Sequence, residues 1–318
     1  MITASPGLAS RAQDHSAAPS HHGEVRSEGR YLSRRAGEEN FPVALRALPS
    51  GIRRHLRAVY DVARVIDDLG DVGPGHRAAA LIAFRSDLAT IWQGLTPSAS
   101  VLRGLAATVA ECDLPEQPFR DLIEANLRDQ TKVEYATYAE LLDYCTLSAN
   151  PVGRVVLCIF RASTPERVVL SDRVCTALQI IEHCQDVAED HRAGRRYLPL
   201  EDLRRFAVTP ADLGADDATP RLRELVRFEA ERAEALLRDG ALLVGELRGW
   251  ARLAVAGYVA GGLAAVAALR RGGWSVLPTH PPRRRLDVIT ALVPLWLRPA
   301  GYSSRGRGRA AVRLEEVS

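Results

Sequence analysis

Apolar residues return every three or four positions through most of this chain, and this spacing limits the folds that it can adopt. Leu122 and Ala125 give one example, and Leu141 and Cys145 give another. Such spacing is typical of helices, whereas the strict alternation of apolar and polar residues that marks a strand is scarce. The sequence therefore predicts an all-α fold over residues 37–298.

Both ends of the chain lack this period. Residues 1–36 are rich in Ser, Ala, His, Gly and Arg, and residues 299–318 contain Gly-Arg repeats. A segment without periodic apolar residues cannot bury enough surface to offset the entropy of ordering. We therefore predict a disordered tail at each end and one domain, residues 37–298, between them.

Composition excludes several classes of protein. The net charge is only +3 and both signs are interspersed, which argues against a nucleic-acid partner. The five cysteines form no C-x-x-C pair, so neither a disulfide framework nor a zinc site is indicated. The N-terminus has no basic-then-apolar signal pattern, and the expected location is the cytoplasm.

Two apolar stretches raise the question of membrane contact. Residues 253–269 are uncharged, but they are mostly Ala and Gly and fall short of the ~20 residues that a span needs. This composition favours a buried core helix. Residues 288–297 follow the basic run 283–285, and the pair is a candidate for peripheral membrane contact. A core or covering helix is an equally good interpretation.

The first group of functional candidates is a stripe of polar side chains on a predicted helix. At about 100° per residue, Asp67 and Asp71 lie about 40° apart, and Tyr60 and Arg64 share the same arc. Asp68 points about 100° away. Apolar residues cover much of the remaining circumference. A charged stripe on an otherwise apolar helix is a poor solvent face.

A second stripe comes from Glu182, Asp186 and Asp190, which are spaced i, i+4, i+8, with Gln179 one turn earlier. On one continuous helix, all four would share an arc of about 80°. Like charges at this spacing destabilise a helix by a few tenths of a kcal/mol per pair. Three in succession indicate a compensating cation or a functional reason.

Two facing acidic helices predict a particular chemistry. Carboxylate oxygens suit Mg²⁺, which keeps several waters and bridges phosphate oxygens of a substrate. Arg64 and Arg195 could add paired hydrogen bonds to phosphate. Either stripe alone fits a solvated helix face, but the two together favour a metal and diphosphate site. A di-iron bundle would need Glu-x-x-His motifs, which neither stripe contains.

At these residues the sequence resembles the squalene and phytoene synthase family of head-to-head prenyl synthases. Asp67-x-x-x-Asp71 and Asp186-x-x-x-Asp190 are similar to the two aspartate motifs of that family. The resemblance extends over most of residues 38–298. It implies an isoprenoid synthase-type helical bundle with a central cavity, an isoprenoid diphosphate substrate, and two or three Mg²⁺ ions.

Three stretches, residues 39–44, 144–154 and 194–199, resemble the hydroxysqualene synthase branch of bacterial hopanoid biosynthesis. This resemblance implies conversion of presqualene diphosphate and water to hydroxysqualene and diphosphate. No NADPH is expected, and the chain has no glycine-rich dinucleotide fingerprint. The implied functional neighbours are a presqualene diphosphate synthase and a hydroxysqualene reductase.

The resemblance also implies roles for individual residues. The expected metal ligands are carboxylates: Asp67, Asp71, Glu182, Asp186 and Asp190. The expected contacts to the diphosphate or prenyl chain are Asn40, Arg64, Val152, Gly153, Gln179 and Arg195. The expected catalytic residues are Tyr60, Tyr144, Asn150 and Tyr197. Glu182 departs from the family, which often has Asn there, although a carboxylate can still bind Mg²⁺.

Several alternatives stay open at this point. The same fold could condense two farnesyl diphosphates to presqualene diphosphate or make a phytoene-type product. A non-catalytic helical lipid-binding protein is an alternative of another class. Asn150-Pro151 could mark a helix boundary or place a polar group in the cavity. Asp129 and Tyr135 could support the cavity rim, although a surface position is more typical of such an Asp.

Overall fold

The computed structural model of the protein describes residues 48–71 and 76–297, which fall in one compact unit. This part of the chain contains fourteen helices and no strand, only an isolated bridge between Glu134 and Arg196. The all-α prediction is confirmed. Asn40 and both predicted tails lie outside the described residues, so those predictions and the domain boundaries stay predictions.

The helices, in chain order, are α1 (Ser50–Asp71), α2 (Arg77–Ala89), α3 (Ser100–Cys112), α4 (Gln117–Arg128), α5 (Tyr138–Ser148), α6 (Asn150–Ile159), α7 (Pro165–Gln185), α8 (Val187–Arg192), α9 (Leu200–Arg205), α10 (Pro210–Leu213), α11 (Pro220–Gly240), α12 (Leu243–Glu246), α13 (Gly249–Arg271) and α14 (Arg285–Leu297).

Threonine caps define where the central helices begin. The hydroxyls of Thr137, Thr164 and Thr219 each accept a hydrogen bond from the backbone three residues on, at the starts of α5, α7 and α11. Pro165 and Pro220 follow the last two caps directly. Proline suits the first helical position, where its missing N–H has no partner to lose. Local sequence therefore fixes the starts of two of the long helices, α7 and α11.

Two apolar cores organise the fold. One is built from α1, α2, α3, α4 and α6, and the other mainly from α5 and α7 to α14. Helices α4 and α6 contribute to both cores. Ile123 of α4 and Val156 of α6 are buried in the first core, and Ala125 of α4 and Leu157 of α6 are buried in the second. The acidic helices α1 and α7 thus belong to different cores, which α4 and α6 connect.

Helix α13 is long and apolar enough to cross a membrane by length and composition. However, 67% of its apolar window is buried inside the protein, and it packs against α7, α11 and α14. At Gly262 an added Cβ would collide with Leu178 and Leu237 of the neighbouring helices. Helix α13 is therefore the buried core helix that its Ala- and Gly-rich composition favours.

The helical stretch that contains Asn150-Pro151 is divided in two. Helix α5 ends at Ser148, Ala149 has φ −118°, and α6 begins at Asn150 with Pro151 in its first turn. A proline is tolerated in the first turn because the N–H it lacks would have no helical partner there. The boundary interpretation of Asn150-Pro151 is therefore correct for the backbone.

The second acidic stripe is also divided, so the expectation of one continuous helix is wrong. Asp186 has φ −96° and ψ 15°, and it separates α7 from α8. The backbone N–H of Asp186 still bonds to Glu182 O at 2.9 Å, and that of Asp190 bonds to Asp186 O at 2.8 Å. These bonds keep the four-residue spacing of an α-helix across the break, although the backbone angles of Asp186 are not helical.

Candidate active site

The end of α1 that carries Asp67 packs closely on α4. Asn126 Nδ2 donates to Asp67 Oδ1 at 3.2 Å, and Gln130 Nε2 donates to the Gly70 carbonyl at 3.1 Å. A Cβ on Gly70 would collide with the Asn126 side chain, so the close approach requires glycine. These contacts fix the orientation of the first acidic stripe.

Arg64 shares that stripe but already has an acidic partner. Its guanidinium lies 2.9 Å from Asp68 Oδ1, one turn along α1, and its side chain is only 15% exposed. Asp68 points off the stripe, as helical geometry predicts, and neutralises Arg64 from the side. Tyr60 lies half-buried one turn before Arg64 on the same helix.

Arg195 joins the two acidic elements. Its Nη1 lies 2.9 Å from Asp71 Oδ1, across 124 positions of sequence. Gly194, with φ +72°, turns the chain after α8, and the Arg195 N–H bonds to Asp190 O at 2.8 Å. A left-handed conformation of this kind favours glycine. The turn therefore points the guanidinium of Arg195 back toward α1.

The carboxylate of Asp67 is hard to ionise in this arrangement. Asp67 keeps an exposed surface, yet the surrounding helices remove much of the water around its carboxylate. This burial raises its pKa to about 6, and the negative charges of Asp71 and Asp68 add to the effect. The hydrogen bond from Asn126 and the charge of Arg64 oppose the shift without cancelling it.

Asp190 shows the same effect more strongly. Burial raises its pKa to about 7, helped by Asp186 and by the more distant Asp129, while Arg195 lowers it. Burial likewise raises the pKa of Asp129 to about 6, against hydrogen bonds from tyrosine hydroxyls and the charge of Arg195. The negative charges of Asp71, Asp129 and Asp190 therefore act on one another, and Arg195 is the cation that opposes the pKa shifts of Asp129 and Asp190.

An aromatic cluster lies beside these carboxylates. The His183 and Tyr197 rings stack with centroids 3.9 Å apart, and Tyr197 lies 5.5 Å from Tyr144 and 5.8 Å from Tyr135. Tyr144 donates from its hydroxyl to Asp129 Oδ2 at 2.6 Å. The other oxygen of Asp129 is buried without a protein partner. Two predicted catalytic residues, Tyr144 and Tyr197, are thus placed together.

For Asp129 the sequence left two interpretations open, support of the cavity rim and the more typical surface position, and the contacts of the residue agree with the first. It is half-buried just beyond the end of α4 and accepts from Tyr144. Asn126, Asp129 and Gln130 are spaced i, i+3, i+4, and both Asn126 and Gln130 bond to α1. This spacing puts the three polar side chains on one side of the helix, which indicates that this side contacts another polar element.

Gln179 contacts the cluster through His183, whose Nε2 lies 3.3 Å from Gln179 Nε2. Burial lowers the pKa of His183 to about 3, and the nearby charge of Arg195 adds to this. A neutral His183 makes no ion pair with Asp190, although the two side chains are 4.0 Å apart. Gln179 therefore lies in the wall behind the site and supports the stacked histidine.

Glu182 and Asp186 lie against a different segment. Burial raises the pKa of Asp186, as does Glu189, while His280 lowers it. Glu182 is exposed, and its charge acts on the half-buried Arg283. Asp190 is therefore linked to the α1 stripe through Arg195, whereas Glu182 lies beside the segment that precedes α14.

Asn150 is buried in the interface between α6 and α7, where Thr176 Oγ1 donates to its Oδ1 at 2.9 Å. Val152 is half-buried and packs against the first core. An added Cβ at Gly153 would collide with side chains of α7. Asn150, predicted as catalytic, and Val152 and Gly153, predicted as substrate contacts, hold α6 against its neighbours in the structure.

The carboxylates of the site suit a metal that protein and substrate bind jointly. Within residues 48–71 and 76–297, no three His, Cys, Asp or Glu side chains are close enough to enclose an ion by themselves. Asp71, Asp129 and Asp190 nevertheless share the cation Arg195, Asp67 is influenced by Arg64, and one buried Asp129 oxygen has no partner. Excess carboxylates of this kind fit Mg²⁺ bound jointly by protein and substrate phosphate.

The helical fold is of the isoprenoid synthase type, and the homologues of the chain show that it is an enzyme that processes an isoprenoid diphosphate. The family model described as squalene/phytoene synthase matches residues 34–288, and the chain belongs to that family. The resemblance seen in the sequence is confirmed. Membership in a family of enzymes also sets aside the non-catalytic lipid-binding alternative.

Individual relatives give the range of similarity. A hydroxysqualene synthase from Zymomonas mobilis is 35% identical over 211 residues, 63% of this chain and 68% of that protein. A phytoene synthase from Thermus thermophilus is 33% identical over 223 residues, 70% and 76% of the two chains. The crystal structure of squalene synthase HpnC from Alicyclobacillus acidocaldarius has a TM-score of 0.70 and 41% identity, covering 79% of this chain and 96% of that one.

Proposed function

We propose that the chain is a Mg²⁺-dependent hydroxysqualene synthase that converts presqualene diphosphate and water to hydroxysqualene and diphosphate. The observation that carries the proposal is the ion pair between Arg195 and Asp71. It joins α1 to the end of α8 and leaves neighbouring carboxylates short of cations. Similarity to a protein named hydroxysqualene synthase supports the particular reaction.

The diphosphate is proposed to lie between Asp67 and Asp71 on one side and Asp190 on the other. Two or three Mg²⁺ ions held by these carboxylates, with Asp186, would supply the positive charge that stabilises the leaving diphosphate. Arg195 would donate hydrogen bonds to its oxygens. The pKa of Arg195 is raised further above its ordinary value by Tyr197 and Asp71, against the effect of burial, so the guanidinium stays charged.

The aromatic cluster is proposed to face the carbocation that forms when the diphosphate leaves. Tyrosine rings stabilise a nearby cation through their electron-rich faces. Burial and neighbouring charges raise the pKa values of Tyr144 and Tyr197, so both phenols stay protonated. Tyr60, on the α1 stripe, would line the diphosphate end. Asn150 is buried, so its proposed role is to hold α6 against α7. It does not need to contact the water that quenches the carbocation.

The wider assignments follow from the same proposal. A water quench needs no hydride donor, so no NADPH is expected. The substrate would come from a presqualene diphosphate synthase, and the product would pass to a hydroxysqualene reductase. Cytoplasmic location stays a prediction. Glu182 also stays only a predicted metal ligand, because its charge acts on Arg283.

A second candidate function is the condensation of two farnesyl diphosphates to presqualene diphosphate or a phytoene-type product. The phytoene synthase from Thermus thermophilus, which matches a larger share of this chain, favours it. Both reactions begin with ionisation of an allylic or cyclopropylcarbinyl diphosphate, so the same acidic site could serve either. The substrate is the distinguishing feature.

The test incubates purified protein and Mg²⁺ separately with presqualene diphosphate and with farnesyl diphosphate, without NADPH, and identifies the products. Hydroxysqualene from presqualene diphosphate alone is the expected result. Presqualene diphosphate or phytoene-type hydrocarbon from the second substrate would replace the proposal with the second candidate. Asp190→Asn should abolish turnover, and the exposed Asp143→Asn on α5 is the matched control.

A further inference from the structure

Helix α14 carries a band of exposed apolar side chains. Five large residues are between 49% and 74% exposed: Leu286, Ile289, Val293, Trp296 and Leu297. At about 100° per residue, all five fall within an arc of about 100° on one side of the helix. Contiguous exposed apolar surface of this kind marks a contact site more often than chance exposure. We call this arc the α14 outer face.

The opposite side of α14 is already occupied. Val288, Ala291 and Leu292 pack against the second core, and Leu295 is buried in it. The helix is therefore apolar on two sides, and packing within the chain explains only the inner one. The outer face has no role in the acidic site, which lies on other elements.

The charged groups that border the outer face are basic. Arg284 and Arg285 are exposed where the helix begins, and Arg285 is about 20° from Trp296 around the helix. At the other end Arg252 lies over the Trp296 ring, 5.3 Å from its centroid, and donates to the Trp296 carbonyl at 2.7 Å. Arg283 is not part of this border, because it is half-buried near Glu182.

The acidic residue of α14 does not offset this charge. Asp287 lies 2.7 Å from Arg271 Nη1, and it also accepts from the backbone N–H of Arg284. Its carboxylate is therefore engaged by the protein. The sequence that follows, residues 298–318, contains five Arg and two Glu, so the chain stays basic beyond the helix.

We propose that the α14 outer face docks onto an anionic lipid bilayer, with the helix lying in the plane of the interface. An amphipathic helix in this position buries its apolar face among the outer acyl groups, and basic residues at its edges bind acidic headgroups. Tryptophan is favoured at the membrane interface, where Trp296 would lie. Arginine can extend its charged end toward headgroups while its stem covers apolar surface, and Arg284 and Arg285 are exposed at the start of the helix.

A second copy of the chain is a poorer occupant. A two-fold interface brings one patch against itself, so basic edges would meet basic edges, and the carboxylate of α14, Asp287, is already paired with Arg271. A bilayer of acidic lipids supplies the missing negative charge. The charge of the border therefore favours lipid over self-association.

The experiment measures flotation of the full chain with phosphatidylcholine vesicles and with mixed phosphatidylcholine and phosphatidylglycerol vesicles. We expect binding to the mixed vesicles that weakens at high salt, and weak binding to phosphatidylcholine alone. Ile289→Glu with Val293→Glu should reduce binding by about tenfold or more. The control pair Ile82→Glu with Val169→Glu, at exposed apolar positions on α2 and α7, should bind like the wild type.

Two further measurements keep the test decisive if the double variant does not fold. Arg285→Glu should weaken binding roughly fivefold, whereas Arg227→Glu, exposed on α11, should not. Brominated acyl chains should quench wild-type fluorescence, and Trp296→Phe should remove most of that quenching. No flotation, equal flotation with both lipid mixtures, or a stable dimer that Ile289→Glu with Val293→Glu dissociates would overturn the proposal.

Discussion

The guanidinium of Arg195 lies between carboxylates that belong to separate elements. It pairs with Asp71 at 2.9 Å, and its charge lowers the pKa values of Asp129 and Asp190. The helical periodicity of α1 predicts the stripe that carries Asp71, because spacing within one helix is a local property. The pairing itself spans 124 positions and depends on how two cores pack, which no local pattern encodes.

Replacing Arg195 tests its place in the site. We expect Arg195→Gln to lower kcat/KM by about 10²- to 10³-fold, because it removes a fixed donor to the leaving diphosphate. Arg195→Lys should recover part of the loss, since lysine keeps the charge but not the paired hydrogen bonds. Arg192→Gln, at the exposed end of α8, is the control. Equal activity of the Arg195 and Arg192 variants would contradict this role.

The hydroxyl groups of two neighbouring tyrosines allow a matched comparison. Tyr144 donates to Asp129 at 2.6 Å, whereas the Tyr135 hydroxyl is buried without a partner. Tyr144→Phe should therefore lower the free energy of unfolding by about 1–2 kcal/mol, and Tyr135→Phe should leave it unchanged or raise it. Urea denaturation of both variants measures this. Equal losses would argue against the Tyr144–Asp129 bond.

At the scale of elements, the interface between α6 and α7 is closer than the sequence indicates. Resemblance implies that Gly153 opens a helix for the prenyl chain. The structure instead gives it a packing reason, because Ser171 and Cys175 of α7 occupy the space a Cβ would need. Asn150 is bonded to Thr176 in the same interface. Such reasons depend on which helix lies opposite, so a single sequence does not reveal them.

Gly153→Ala should lower the free energy of unfolding by about 1–3 kcal/mol through overpacking. Gly104→Ala is the control, because Gly104 lies within α3 with nothing within 4 Å of an added Cβ. It should raise stability by up to about 1 kcal/mol, since alanine is the better helix former. Thermal melts of both variants measure these changes in stability. Adding Ser171→Ala and Cys175→Ala to Gly153→Ala should recover part of the loss.

A buried acidic pair ties α9 to α11. Glu229 is fully buried and Asp202 nearly so, and the Arg232 guanidinium lies 2.5 Å from the first and 3.0 Å from the second. Burial raises the pKa of Glu229 to about 8, against the charge of Arg232. One cation cannot balance two buried carboxylates, so Glu229 holds a proton at neutral pH.

This raised pKa predicts a pH dependence of stability. The unfolded state releases the Glu229 proton near pH 4.3, while the folded state keeps it until about pH 8. The contribution of Glu229 to the free energy of unfolding is complete below its unfolded-state pKa. It is lost as pH rises toward the folded-state pKa, by up to about 1.4 kcal/mol per pH unit. Glu229→Gln should flatten the curve between them, and exposed Glu231→Gln should not. Parallel curves for all three proteins would refute the buried proton.

At the scale of the whole molecule, periodicity and the aspartate motifs were enough to predict the fold class and the family. They predicted Asp67 and Asp71 on one helix, but not the break at Asp186, which requires the backbone. The sequence did not decide between the two interpretations of Asp129, because its partner Tyr144 comes from the next helix. The tertiary arrangement therefore adds the cross-helix contacts, and sequence patterns supply the helices that carry them.

The central claim is that α1 and α8 hold one Mg²⁺–diphosphate group between them, and a thermal melt tests it most directly. A ligand that binds only the folded state stabilises it, by about 2.7 kcal/mol at ~100 times Kd. The melting temperature should rise only when Mg²⁺ and diphosphate are added together. Asp71→Asn and Asp190→Asn should each abolish the rise, while Asp143→Asn keeps it. An equal rise with diphosphate alone, or a full rise in either site variant, would contradict the claim.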